Sequence, residues 1–237
     1  DMISVSVVHW YMGAQSWNFE DGAGVIKDPV FDAKYLHEIY SYAKPDMSGK
    51  VTVPVLFDKK EKKIVNNESS DIIRIFNHAF DELGALPGDY YPTPLRGEID
   101  EINERIYHSL NNGVYKCGFA TTQEAYEEAY TPLFDTLDFL EDELGQADYL
   151  VGNQLTEADI RLFTTLVRFD SVYYSHFKCN KKRIQDYPNL HRFVERFMSN
   201  QKIAATVDFH HIKHHYYGSH KQINPSGVVP VGPDVMY

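Results

Sequence analysis

Cysteine is scarce in this chain: Cys117 and Cys179 are the only two among 237 residues. Two thiols so far apart give no disulfide framework and point to a reducing, cytoplasmic compartment. Positive charge is also in short supply, 23 Lys and Arg against 34 Asp and Glu, for a net charge of -11. That balance excludes a generic binder of nucleic acid or of an anionic membrane, because phosphates would repel the summed field. No apolar run approaches the roughly 20 residues that span a bilayer, and no secretory leader pattern opens the chain. Partners are therefore expected among small molecules and other proteins. What the chain does have is 43% hydrophobic and 14% aromatic residues. That is enough to bury substantial cores in one large or two small domains.

Two compositional regimes flank one punctuated stretch. Residues 85–97, rich in Gly and Pro with Pro87, Gly88, Pro92 and Pro94, suit neither helix nor strand interior and predict a linker. Before it, over 1–84, strand signals fall at 3–8, 51–57 and 64–65. The polar residues 58–63 suit a hairpin loop, and Ile72, Phe76, Ala79, Phe80 and Leu83 form a helical stripe over 71–83. After the linker, residues 98–223 are almost entirely helical in pattern. Ile99, Ile102, Ile106 and Leu110 make one stripe, Tyr126, Tyr130, Leu133, Leu137, Leu140 and Leu144 a second, and Leu190, Phe193, Val194 and Phe197 a third. Thr156 and Asp159 are spaced as a capping box that opens a buried helix. Residues 224–237 hold too much Pro and Gly for regular structure and are expected to form an extended tail. An α/β unit followed by an all-helical one suggests a glutathione-transferase-like architecture, α/β plus all-α.

Two short motifs carry chemistry. Pro54 interrupts an apolar strand and removes a ladder donor, so the site is either a sheet edge or a cis peptide bond. In the second case the Val53 backbone is offered to a peptide-like ligand in antiparallel fashion. Residues 66–71, Asn-Asn-Glu-Ser-Ser-Asp, lie between strand and helix. Ser69 and its neighbours suffice as helix caps. They also suit a ligand carboxylate at a helix N-terminus, with Glu68 beside it to take an ammonium group. The γ-glutamyl end of glutathione carries both groups on one carbon.

Val51-Thr52-Val53-Pro54-Val55-Leu56, residues 64–70, Asn112-Gly113-Val114-Tyr115-Lys116, residues 155–162, His176-Phe177-Lys178-Cys179-Asn180 and Ile223-Asn224-Pro225 together resemble the glutathionyl-hydroquinone reductases. These are the Xi-class, omega-like glutathione transferases, and the likeness is strongest to a fungal member. The resemblance implies a thioredoxin-like domain, a helical domain, and a homodimer joined largely through the latter. It also implies that an enzyme thiolate attacks the sulfur of a glutathionyl-hydroquinone, hydroquinone leaves, and a second glutathione resolves the mixed disulfide. The family's thiolate stands in a Cys-Pro-Trp motif after the first strand. No such motif occurs in residues 1–237, so the nucleophile is expected upstream of Ile3, the first domain is expected to be incomplete at its start, and the chain as given is expected to be inactive.

Cys117 is expected to be a small apolar packing residue. His176 with Cys179, and the run His210, His211, His214, His215 and His220, lack the four tightly spaced ligands of a structural zinc site, so no metal is expected. By resemblance Tyr115, Tyr173 and Tyr216 face the hydroquinone ring, where a phenol can donate a proton as the C–S bond breaks. Trp17, Val53, Pro54, Glu68 and Ser69 are the expected glutathione contacts. Glutathione serves as co-substrate, and the other partner is an aromatic glutathionyl conjugate. The alternatives are an omega-like thioltransferase or dehydroascorbate reductase, and a non-catalytic glutathione-binding protein.

Overall fold

The computed structural model describes residues 2–234, in two compact units that divide between Asp89 and Tyr90. The segment expected as a linker over 85–97 is thus shared between the units, and its end is already helical, with a 3-10 turn at Thr93–Leu95 leading into α3.

In the first unit α1 (Leu36–Ala43) precedes an antiparallel hairpin of β1 (Leu56–Asp58) and β2 (Lys63–Asn66), followed by α2 (Ser69–His78). The polar run at the hairpin tip turns because the Asp58 carboxylate accepts from the amides of Lys60 and Glu61, each at 2.8 Å. Phe19, Ala33, Leu36, Ile39 and Tyr40 form the core of this unit, with Trp17, Val55, Phe57 and Ile64 against it.

Three expectations need correction here. Residues 3–8 alternate like a strand, yet only Val7 pairs, bridging to Ile26; a strand exists only where a neighbour takes up its N–H and C=O groups. The strand expected over 51–57 starts only at Leu56, since Pro54 has no N–H to give a ladder. The helix expected over 71–83 begins at Ser69 and stops at His78. A separate 3-10 turn, Asp81–Leu83, then closes on Gly84 at φ 87°, a left-handed conformation that glycine adopts without a Cβ penalty. Phe76 and Leu83 are consequently exposed.

The second unit is helical: α3 (Arg96–Ile106), α4 (Gly113–Phe119), α5 (Gln123–Gln146), α6 (Glu157–Arg168), α7 (Pro188–Ser199), α8 (Gln201–Ala204) and α9 (Phe209–Ser219). The apolar stripes become its core: Ile106, Leu110, Leu133, Leu137, Leu140, Leu162, Leu166, Leu190 and Val194 are all fully buried. Each such side chain contributes roughly 2 kcal/mol through removal from water. The Asp159 carboxylate, itself fully buried, accepts from the amide and hydroxyl of Thr156 and from the Leu150 amide, all at 2.9 Å. It therefore fixes both the start of α6 and the loop before it.

Two five-residue π-helical turns, Tyr107–Asn111 and Phe169–Tyr173, continue α3 and α6. In the second, buried Asp170 accepts from the amides of Ile184 (2.6 Å) and Gln185 (3.1 Å), which closes the base of the loop 174–183. The tail lies along α9: the Asn224 amide donates to the Tyr217 and Val228 carbonyls, and Lys213 donates to the carbonyls of Val231 and Gly232. Residues 235–237 of the expected tail lie outside the described residues.

Candidate functional site

The peptide bond between Val53 and Pro54 is cis. Val53 is 42% exposed, and among the described residues its amide and carbonyl enter no hydrogen bond. Around it, the Tyr40 hydroxyl donates to the Thr52 carbonyl at 2.8 Å, and the Asn67 amide reaches both the Tyr40 hydroxyl (3.3 Å) and the Thr52 hydroxyl (3.4 Å). This ties the 52–54 segment to the start of α2. Glu68 stands at the N-cap, its own amide donating to the Asn66 side chain at 2.7 Å, and its carbonyl accepts from the amides of Asp71 and Ile72. The amides of Ser69 and Ser70 are then the unpaired ones of the first helical turn, and Glu68, Ser69 and Asn67 are all exposed. Unpaired amides beside an exposed carboxylate form a receptor for a carboxylate and an ammonium group together. Trp17 is half-buried on the core of this unit, its carbonyl accepting from the Leu36 amide at 3.0 Å. A cavity of about 590 Å³ has Val53 and Pro54 in its wall beside Val5, Val7 and Phe31; its largely apolar lining suits no charged peptide.

In the second unit, α4, the second π turn and α9 bring together three tyrosines. The hydroxyls of Tyr115 and Tyr216 are 2.5 Å apart, and those of Tyr173 and Tyr216 3.0 Å. Tyr173 and Tyr216 are buried, whereas Tyr115 is 39% exposed. Burial, followed for Tyr216 by the neighbouring Tyr115 and for Tyr173 by Tyr216 and Tyr115, pushes both buried phenols above their ordinary range, so both stay protonated at neutral pH. Burial also sets the direction of the chain. The hydroxyl of Tyr173 has Tyr216 as its one partner among the described residues, and a buried donor left unpaired is costly. Tyr173 therefore donates to Tyr216, Tyr216 donates to Tyr115, and the Tyr115 proton is left for whatever lies outside.

Sequence reasoning missed the groups that frame this cluster. Phe177 is fully buried, with ring centroids 5.4, 5.5 and 5.6 Å from those of Tyr115, Tyr173 and Tyr216. It fits because residue 118 is glycine: a Cβ there would fall 2.1 Å from the Phe177 ring. His176 pairs with His220, Nε2 to Nδ1 at 3.2 Å. Burial holds both imidazoles down to about 4, so both are neutral. None of these partners belongs to a recognisable motif, although Phe177 stands four residues from Tyr173 and His220 four from Tyr216.

Cys117 and Cys179 are both buried in the helical core. Cys179 is held well above the ordinary thiol range by its hydrogen bond with Cys117 and by burial, the opposite of what a nucleophilic thiolate needs. Among the described residues no group of three His, Cys, Asp or Glu side chains could hold a metal ion, and no helix is long and apolar enough to cross a membrane.

Residues 123–196 match the family model described as glutathione S-transferase, C-terminal domain. The glutathionyl-hydroquinone reductase PcpF of Sphingobium chlorophenolicum is 60% identical over 98% of this chain and 74% of its own length. The glutathione-bound structure of YqjG, a glutathione transferase homologue from Escherichia coli K-12, superposes with a TM-score of 0.94 at 55% identity, covering 96% of this chain and 75% of that one. The Xi glutathione S-transferase of Phanerochaete chrysosporium gives a TM-score of 0.95 at 51% identity, covering 99% and 81%. The α/β unit followed by the helical unit is thus the glutathione transferase fold, and the chain belongs to the family of glutathionyl-hydroquinone reductases and Xi-class glutathione transferases.

Proposed function

We propose that this protein reduces glutathionyl-hydroquinones to hydroquinones at the expense of glutathione. The observation that carries it is the hydrogen-bonded trio Tyr173, Tyr216 and Tyr115, of which only Tyr115 is exposed. An enzyme thiolate attacks the conjugate's sulfur, an S–S bond forms as the C–S bond breaks, and the electron pair left on the ring carbon takes a proton from the tyrosines. A second glutathione then attacks the mixed disulfide, which returns the thiolate and yields oxidised glutathione.

Glutathione is held by the Val53 backbone ahead of Pro54, by the first α2 amides together with the Ser69 hydroxyl, and by Glu68, with Trp17 alongside. The buried state of Cys117 and Cys179 supports a nucleophilic cysteine upstream of Asp1. A homodimer, a cytoplasmic location and a fungal source complete the proposal.

Assay of the full-length protein tests it. A glutathionyl-hydroquinone should be turned over, and Tyr115→Phe, which removes the outward proton, should lower kcat about a hundredfold, within the range typical of general acids, with KM for glutathione unchanged. Preference for a simple mixed disulfide or for dehydroascorbate would replace this activity with that of an omega-like thioltransferase. Binding without turnover of either would leave a glutathione-binding protein.

A further inference from the structure

Lys178 stands at φ 61°, a left-handed conformation that is costly for any residue carrying a Cβ. Its side chain is exposed, while the residues on either side point inward: Phe177 is fully buried against the three tyrosines, and Cys179 lies in the helical core. A relaxed, negative φ at Lys178 would therefore redirect Phe177. What holds the turn is its carbonyl. The Tyr126 hydroxyl on α5 donates to it at 2.7 Å across 52 positions, and the Asn180 amide donates to it at 2.9 Å. The bond from Asn180 is local and belongs to the turn itself, whereas the bond from Tyr126 ties the turn to another helix. Tyr126 is itself fixed, packed on the core with its ring 5.3 Å from that of Tyr130.

We infer that Tyr126 is a positioning residue, which through the Lys178 carbonyl keeps residues 177–179 in the turn that seats Phe177 against Tyr115, Tyr173 and Tyr216. Phe177 packs on all three rings, so a turn that relaxes loosens the hydroxyl chain they form. The inference rests on the proposed function for its consequence in turnover, and on the geometry alone for the hold on the turn.

Hydrogen exchange of the segment 174–180 in the full-length protein, read by mass spectrometry, tests that hold without requiring turnover. Two amides report on it, His176 donating to the Val172 carbonyl at 2.8 Å and Cys179 to that of Tyr173 at 3.0 Å. Tyr126→Phe keeps the packing ring and removes only the hydroxyl, so both amides should exchange about fivefold faster, the worth of one neutral hydrogen bond. With a glutathionyl-hydroquinone, kcat should fall about threefold, at the small end of what misplacement costs, with KM for glutathione unchanged. Adding Lys178→Gly, which glycine's freedom at positive φ favours, should recover most of both losses. A ring that served only as packing would show neither the change nor the recovery. Unchanged exchange, no recovery by glycine, or faster exchange with kcat unaltered would each overturn the inference. Turnover by the wild-type sample keeps the two ideas apart: the expected exchange pattern without reduction of any glutathionyl conjugate would remove the proposed function and leave the hold of Tyr126 on the turn standing.

Discussion

The Nε2 atom of His176 lies 3.2 Å from Nδ1 of His220, so a loop that follows the second π turn is fastened to the C-terminal end of α9 by two buried, neutral imidazoles. Tyr173 and Tyr216 belong to the same two segments. Burial is the larger cause of the pair's lowered basicity, with lesser contributions from Lys178 at His176 and from His215 at both rings.

Stability should therefore depend on pH with a definite sign. Both rings titrate near 6.5 when unfolded and near 4 when folded, so the unfolded chain binds more protons between those values. Stability is complete above about pH 6.5 and falls as the pH drops toward 4, with about two protons taken up on unfolding from this pair. Urea unfolding at several pH values measures the slope. The double variant His176→Gln, His220→Gln should flatten it, and an unchanged slope would assign the acid sensitivity elsewhere.

Gly118→Ala should destabilise the second unit by about 2 kcal/mol, through the collision of its Cβ with Phe177. Alanine for glycine inside a helix ordinarily stabilises by up to about 1 kcal/mol, so the sign itself is diagnostic. Gly97→Ala, where a Cβ meets nothing within 4 Å, is the matched control and should be neutral or stabilising. Denaturant midpoints compare the two directly.

Asp159→Ala should cost about 3 kcal/mol, because it leaves the amides of Leu150 and Thr156 and the Thr156 hydroxyl without an acceptor in a fully buried place. Thr156→Val removes only the hydroxyl and should cost about 1 kcal/mol. If denaturant titration gives the two variants equal losses, the carboxylate is not the organising group.

Glutathione affinity should fall about tenfold with Glu68→Gln and with Ser69→Ala, the loss of one charge-assisted hydrogen bond or less. Calorimetry on the full-length protein reads this. Unchanged dissociation constants would remove both side chains from the glutathione site.

Helices were legible where apolar residues recur at helical spacing, because Leu133, Leu137, Leu140 and Leu144 each meet the same core face. The capping box at Thr156 and Asp159 was legible for the same reason: its chemistry is complete within four residues. Residues 3–8 were not, since alternation states what a strand requires without saying whether a partner stands alongside. The hairpin tip at Asp58 could be anticipated from its polar run, whereas the early end of α2 depended on how Phe80 and Gly84 fold back. At the candidate site, Val53, Pro54 and Glu68 announced themselves locally. Tyr115 and Tyr216 are hydrogen-bonded across 101 positions, and only resemblance to a family brought them together. Phe177 and the partner of His176 had no such help.

The hydroxyl chain has a polarity that follows from burial alone. With Tyr173 sealed off from water, both links point the same way, and the Tyr115 hydroxyl keeps its hydrogen free for an acceptor. Phenolates, quinone carbonyls and even aryl ethers can all accept that hydrogen. A side chain buried at Tyr173 thus decides which hydroxyl of the three keeps a free hydrogen at the rim.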